Sequence, residues 1–132
     1  MELQNEDIKI EQYPVVGDLQ NAFASRYPFL KIDFYEADNS GRVAKPTPLA
    51  STKKLSQLPR YDANAVLDIS ADRTIAEITE AFFTTLGVAI QVSRKSGKVW
   101  NVITVTENWT LKTQNSAAEF ISSLMKISQI NP

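Results

Sequence analysis

Apolar and polar residues along this chain follow two periods, and the two periods come round twice in the same order. Ile8 and Ile10 alternate with Asp7, Lys9 and Glu11, the period of a short strand. Val16, Leu19, Ala22, Phe23 and Tyr27 recur at helical spacing, with Pro14 near the helix start and Pro28 as its stop. Leu30, Ile32 and Phe34 then face one side of a second strand, with Lys31, Asp33 and Tyr35 on the other. Asp38-Asn39-Ser40-Gly41 is turn chemistry, because Asn and Gly tolerate positive φ.

The second pass is cleaner. Val66, Leu67 and Ile69 predict a strand, and Thr74 with Glu77 forms the capping box of a helix. The stripe Ile75, Ile78, Ala81, Phe82 and Leu86 runs along that helix to Gly87, its stop. Val88, Ile90 and Val92 lead to a tight Lys95-Ser96-Gly97-Lys98 turn, and the β-branched run Val99 to Thr106 returns as a strand. A last helix is expected from Ser116, with Glu119 completing a second capping box. Its broad apolar face would be Ala117, Phe120, Ile121, Leu124, Met125 and Ile127.

Sliding the first pass forward by 59 places sets Ile8 on Leu67, Val16 on Ile75 and Phe23 on Phe82. At 58 places Leu30, Ile32 and Phe34 fall on Val88, Ile90 and Val92. At 56 places Ser40-Gly41-Arg42-Val43 falls on Ser96-Gly97-Lys98-Val99, and Leu55 on Leu111. Offsets that shrink only at loops are the trace of a duplicated unit. The fold class expected is therefore α+β: tandem β-α-β-β repeats forming one antiparallel or mixed sheet, helices on one face, and an added C-terminal helix. Repeat one spans about 6–60, repeat two about 64–114 and the helix about 116–129. Neither half can bury its own apolar side, so 1–132 reads as a single domain with a shared core. Two separate small units joined by the 44–63 segment are the alternative.

That segment is the degraded part of repeat one. Pro46 and Pro48 cannot donate to a strand ladder, so its third strand is expected to be an edge or irregular. Residues 44–63 read as a long, mobile loop with one helical turn around Lys53 to Leu58.

Composition narrows the chemistry. The chain has no His and no Cys, which removes the commonest general base, the commonest transition-metal ligands and the thiol nucleophile. No cofactor, metal site or catalytic residue is called for, and an enzyme would have to rely on a group such as Lys98 or Tyr35 beside an acid. No apolar run approaches the ~18 residues of a membrane span. The polar, acidic start Met1-Glu2-Leu3-Gln4 is unlike a signal peptide, so a cytoplasmic protein of bacterial type is the simplest reading.

Net charge is −1, but it is banded. Residues 1–40 carry 8 acids and 3 bases, 41–62 carry 5 bases and 1 acid, 63–93 carry 4 acids and 1 base, and 94–132 carry 5 bases and 2 acids. Such bands usually form solvated faces, and they also let copies of one chain dock by complementary fields.

The candidate interaction surface is Tyr35, Arg42, Arg94, Lys95, Lys98, Trp100, Val102 and Trp109. The run from Val99 is apolar on both sides, with Val99, Ile103 and Val105 on one and Trp100 and Val102 on the other. A strand apolar on both faces is expected to be buried on both, so the last helix or a second subunit should cover Trp100 and Val102. The ordinary expectation is intramolecular packing; the functional one is a dimer or partner surface, extended by Trp109. The basic tips, Arg94, Lys95 and Lys98 with Arg42 and Lys45, sit near Tyr35 and Trp100 in the manner of a nucleic-acid binder. A pI near 5.4 and the lack of an aromatic doublet weigh against that.

Weaker signals have plain explanations. Ser96-Gly97-Lys98 lacks the glycine and spacing of a phosphate loop. Asp68, Asp72, Glu77 and Glu80 are turn and helix-face acids without a calcium-loop pattern, and Asn108-Trp109-Thr110 is a chance sequon. The function expected is a non-enzymatic binding or assembly module, with a homodimer or another protein as partner, using the sheet face and the 44–63 loop. The alternatives are a small-molecule sensor or carrier with a cleft between the repeats, or nucleic-acid binding at the basic tips.

Overall fold

A computed structural model describes residues 7–130, the side chains of 127–130 excepted. The acidic start before Asp7 and the side chain of Ile127 lie outside the described residues. The element order is β1 (Asp7–Lys9), α1 (Val16–Arg26), β2 (Leu30–Glu36), β3 (Val66–Asp68), α2 (Ile75–Leu86), β4 (Val88–Ser96), β5 (Val99–Val102) and α3 (Leu111–Ile130). Short 3-10 turns stand at Ile10–Gln12 and Leu55–Gln57.

The chain is α+β, but it holds two antiparallel sheets where one was expected. The main sheet has the order β2-β4-β5, and β1 pairs with β3 in a separate two-stranded ribbon with Ile8 opposite Leu67. Within the ribbon Ile8 and Leu67 are buried while their strand neighbours Asp7, Lys9 and Val66 are exposed. The ribbon thus closes over the core with one face instead of extending the main sheet.

In the main sheet Leu30 pairs with Arg94, Ile32 with Val92 and Phe34 with Ile90, so these share one face. That face is the predicted inward set, and all three helices lie on it. Phe82 of α2 meets Phe34 edge-on at 5.4 Å, Gln114 of α3 accepts a bond from Arg94, and Leu19 and Phe23 of α1 join the same buried cluster. Burying about two dozen apolar side chains in one cluster, at ~1.5–3 kcal/mol each, is the main term holding both parts of the chain together.

Helix starts follow the sequence unevenly. Thr74 and Glu77 form the reciprocal box: Glu77 N–H donates to Thr74 Oγ1 at 3.1 Å and Thr74 N–H to Glu77 Oε1 at 2.9 Å. Gly87 ends α2 in the left-handed region. The last helix, however, begins at Leu111, not at Ser116. Thr110 is its cap, with Oγ1 accepting the Thr113 N–H at 3.1 Å. The third strand correspondingly stops at Val102, because residues 106–109 turn back to cap α2: Ala76 N–H donates to the Glu107 carbonyl and Ile75 N–H to that of Trp109.

The 44–63 segment is irregular, as Pro46 and Pro48 suggest, but it is well anchored. Leu49 N–H donates to the Phe34 carbonyl at 2.7 Å and Ala44 N–H to that of Glu36 at 2.8 Å. Val16 and Gly17 at the start of α1 donate to the carbonyls of Lys53 and Ser51, and Leu55 is fully buried. A loop whose polar backbone groups are spent this way is a clasp rather than a tether.

Candidate interaction edge and sheet face

The side of the main sheet away from the helices presents Lys31, Asp33 and Tyr35 from β2, Ala89, Gln91, Ser93 and Lys95 from β4, and Trp100 and Val102 from β5. Ala89 and Ser93 are shielded because they are small and stand between larger cross-strand neighbours, Tyr35 opposite Ala89 and Val102 opposite Ser93. Burial, followed by the charge of Asp33, pushes the Tyr35 hydroxyl above its ordinary pKa, so it stays protonated at neutral pH.

Trp100 is 36% exposed and Val102 47% exposed, and all four residues of β5 are open to solvent. Within one chain the strand is not covered on both faces, and the expectation that the last helix covers Trp100 and Val102 is corrected. α3 lies on the opposite face, and the strand is too short and too far out on the sheet to be enclosed. What stands over Trp100 is cationic: Lys31 Nζ lies 5.2 Å from the ring centre and Lys95 Nζ 6.0 Å. Such contacts are worth about 0.5–1 kcal/mol at an exposed site.

α3 brings a second correction. Its sequence places Ala117, Phe120, Ile121, Leu124 and Met125 on an apolar face that should pack inward. Instead Leu111, Gln114 and Ala118 are buried, while Phe120 is 64% exposed and Leu124 and Met125 are also exposed. Beside Leu111 and Ala118 the inward side carries polar residues that meet backbone. Gln114 Nε2 donates to the Thr106 carbonyl at 2.7 Å, Asn115 Oδ1 accepts the Phe29 N–H, and Ser122 Oγ accepts the Gly97 N–H at 3.2 Å. Strand-end amides need partners more than the helix needs a greasy contact. Of the apolar stripe, Ala117 and Ile121 stay half-buried and Phe120, Leu124 and Met125 are left on the surface.

The remaining predicted residues disperse. Arg94 points to the helix side and donates to Gln114 at 3.2 Å. Lys98 sits in the β4–β5 turn, while Arg42 lies in the turn beyond the other end of β2, beside α2, where a Cβ on Gly41 would meet the Phe83 ring. The two basic tips are thus at opposite ends of the sheet and make no common surface. Trp109 is exposed but belongs to the turn that caps α2, away from Trp100. Tyr35 and Lys98 are separated by most of the length of β4, on the order of 25 Å at ~3.4 Å per residue.

Beyond this surface the described residues form several surface hollows. One of about 500 Å³ is lined by Gly41, Ala76, Phe83 and Glu107, and another of about 310 Å³ by Lys95, Lys98, Ser122 and Lys126. Among the described residues no three acidic side chains gather as metal ligands, and no helix is long and apolar enough to cross a membrane. No protein-family model matches the chain, and neither the curated proteins nor the solved structures contain a significant match to it.

Proposed function

We propose that this chain is a non-enzymatic binding and assembly module, built on a duplicated β-α-β-β unit, that works through the bare β5 edge and the open sheet face around Trp100. The observation that carries the reading is the concentration of exposed large apolar side chains in one part of the molecule. Val99, Trp100, Val102, Val105, Phe120, Leu124 and Met125 all belong to β5, the residues just after it and α3, whereas among the described residues only Val66 and Trp109 lie elsewhere. Scattered exposed apolar residues need no explanation, but four of them in and just after one open strand, with three more on the neighbouring helix, are what a partner surface looks like.

Duplication is supported by hydrogen bonds that recur at the sequence offsets. Val16 to Lys53 and Gly17 to Ser51 become Ile75 to Trp109 and Ala76 to Glu107, a shift of 59 for each donor and 56 for each acceptor. The bridge Val15 with Lys54 becomes Thr74 with Thr110, and the bond from Leu55 to Pro14 becomes that from Leu111 to Arg73. The two registers agree with it, since Ile8 lies opposite Leu67 and Asp33 opposite Gln91. On this reading the 3-10 turn at Leu55–Gln57 is the stump of a lost counterpart of α3, and the 44–63 clasp serves the scaffold more than the partner.

The non-enzymatic part rests on the missing His and Cys and on the separation of Tyr35 from Lys98. Light scattering on a size-exclusion column, with tryptophan emission read on the same peak, tests the reading. A mass of two 14.7 kDa chains, with blue-shifted emission that reddens on dilution, is expected. A single-chain mass with emission independent of concentration sinks it.

A further inference from the structure

Resting on the assembly reading above, we infer that two copies of this chain pair β5 antiparallel to β5 across a twofold axis at Asn101, joining the two main sheets edge to edge. Backbone polarity at the edge points first. Ile103 N–H donates to the Val92 carbonyl at 2.9 Å, in line with the pairs Arg94–Asn101 and Ser96–Val99. Residues 99, 101 and 103 therefore turn their N–H and C=O toward β4, and by alternation Trp100 and Val102 turn theirs outward. On the far side of the sheet the corresponding outward carbonyls of Ile32, Phe34 and Glu36 are taken by Gln20, Leu49 and Ala44. The β5 edge has no such cover among the described residues.

Side-chain register chooses the axis. A twofold that keeps each face of the joined sheet continuous must pass through a residue of β5, since paired residues point the same way. Centred on Trp100, it would set Val102 against Lys98 and Val99 against Asn101. Centred on Val102, it would set Trp100 against Thr104 and Asn101 against Ile103. Centred on Asn101, it sets Trp100 against Val102 and Val99 against Ile103, apolar on apolar, with Asn101 facing its own copy. The outward groups of Trp100 and Val102 then bond each other in both directions.

α3 supplies the rest of the contact. Asn115 marks the helix flank that faces β2, through its bond from Phe29 N–H. At about 100° per residue, Ala117, Ile121 and Leu124 lie on the other flank, the β5 side, with Phe120 beside them. Two joined sheets would bring these flanks toward each other above β5. The exposed β5 side chains and the half-buried to exposed residues Ala117, Ile121 and Leu124 add apolar surface to the main-chain pairing of the joined edge. A second copy is thus the occupant that satisfies edge and register together.

The absence of cysteine makes the test direct. A residue on the axis is a non-hydrogen-bonded pair with its Cα atoms about 4.5 Å apart, within the ~4.4–6.8 Å span of a disulfide. Asn101→Cys is expected to crosslink to completion under mild oxidation, and Lys98→Cys and Thr104→Cys are not. Val102→Pro removes an outward N–H and leaves the β4–β5 bonds intact, so it is expected to give a folded single chain. If that variant does not fold, Val102→Lys decides in its place, with association weakened at least tenfold. A two-chain mass that survives these substitutions, without the Asn101→Cys crosslink, overturns edge pairing and leaves assembly through the sheet face standing. A wild-type chain that stays single at about 100 μM overturns both.

Discussion

The two edges of the main sheet have the same backbone chemistry and opposite fates. The β2 edge is sealed by Gln20, Leu49 and Ala44, drawn from a helix and from an irregular segment with two prolines. The β5 edge carries Val99, Trp100 and Val102 in the open, beside a helix that turns part of its apolar stripe outward. A protein can blunt a strand edge at little cost, and this chain does so on one side. Leaving the other bare is therefore informative, because an open apolar edge is a hazard unless something pairs with it.

The comparison breaks most readily at Leu55, the buried pin of the clasp. Leu55→Ala should cost about 2–5 kcal/mol in urea unfolding, as fully buried leucines do. Val102→Ala, read at a concentration low enough to separate copies, should cost only a few tenths, the usual cost of an exposed strand position. Equal losses would mean that both edges serve the fold alike. Hydrogen exchange sharpens the same point without mutation: the Leu49 and Ala44 amides should be protected, and those of Trp100 and Val102 should exchange freely in dilute solution and slow as the protein is concentrated.

Next in size are the turns. Gly41 has φ +86° with the Phe83 ring 3.0 Å from a built Cβ, whereas Gly97 has φ +64° and meets the flexible Met125 side chain at 3.2 Å. Gly41→Ala should lose roughly 1–2 kcal/mol and Gly97→Ala somewhat less, since a thioether yields where a ring does not. Thermal unfolding of both variants checks the order. Thr74→Ala, which removes the α2 cap, should cost about 1 kcal/mol.

The smallest effect expected is a pH dependence. The hydroxyl and N–H of Ser70, and then Arg73, hold the Asp68 carboxyl below its ordinary range. A carboxyl whose folded pKa is depressed contributes stability above its unfolded value, near 3.9, and loses it as pH falls through the folded value. Acid titration of stability should therefore be shallower below about pH 4 in Asp68→Asn. An unchanged slope would show that Ser70 and Arg73 do not favour the charged form in the folded chain.

Much of the scaffold was legible because its signals are local. The strand alternation at Leu30–Phe34 and Val88–Val92, the Thr74–Glu77 box and the glycines at both turns each depend on neighbours a few residues away. The candidate surface was legible only in part. Trp100 and Val102 stood out as a two-sided strand, but their exposure depends on which face α3 chooses. Phe120 and Leu124 read as core because a hydrophobic stripe carries no label for the side that finds a partner. Thr110 was missed as a cap because Ser116 and Glu119 offer a competing box with nothing in sequence to rank them.

What this sequence determined by itself is the set of elements, the inward side of β2 and β4 and the absence of His and Cys chemistry, all properties of residue type and short-range period. Only the tertiary structure decided that β1 and β3 form their own ribbon, that the 44–63 segment seals one edge, and that α3 packs by Leu111 and Ala118 together with Gln114, Asn115 and Ser122. Those choices are made by backbone groups far apart in the chain competing for hydrogen-bond partners, and no local period records which of them meet.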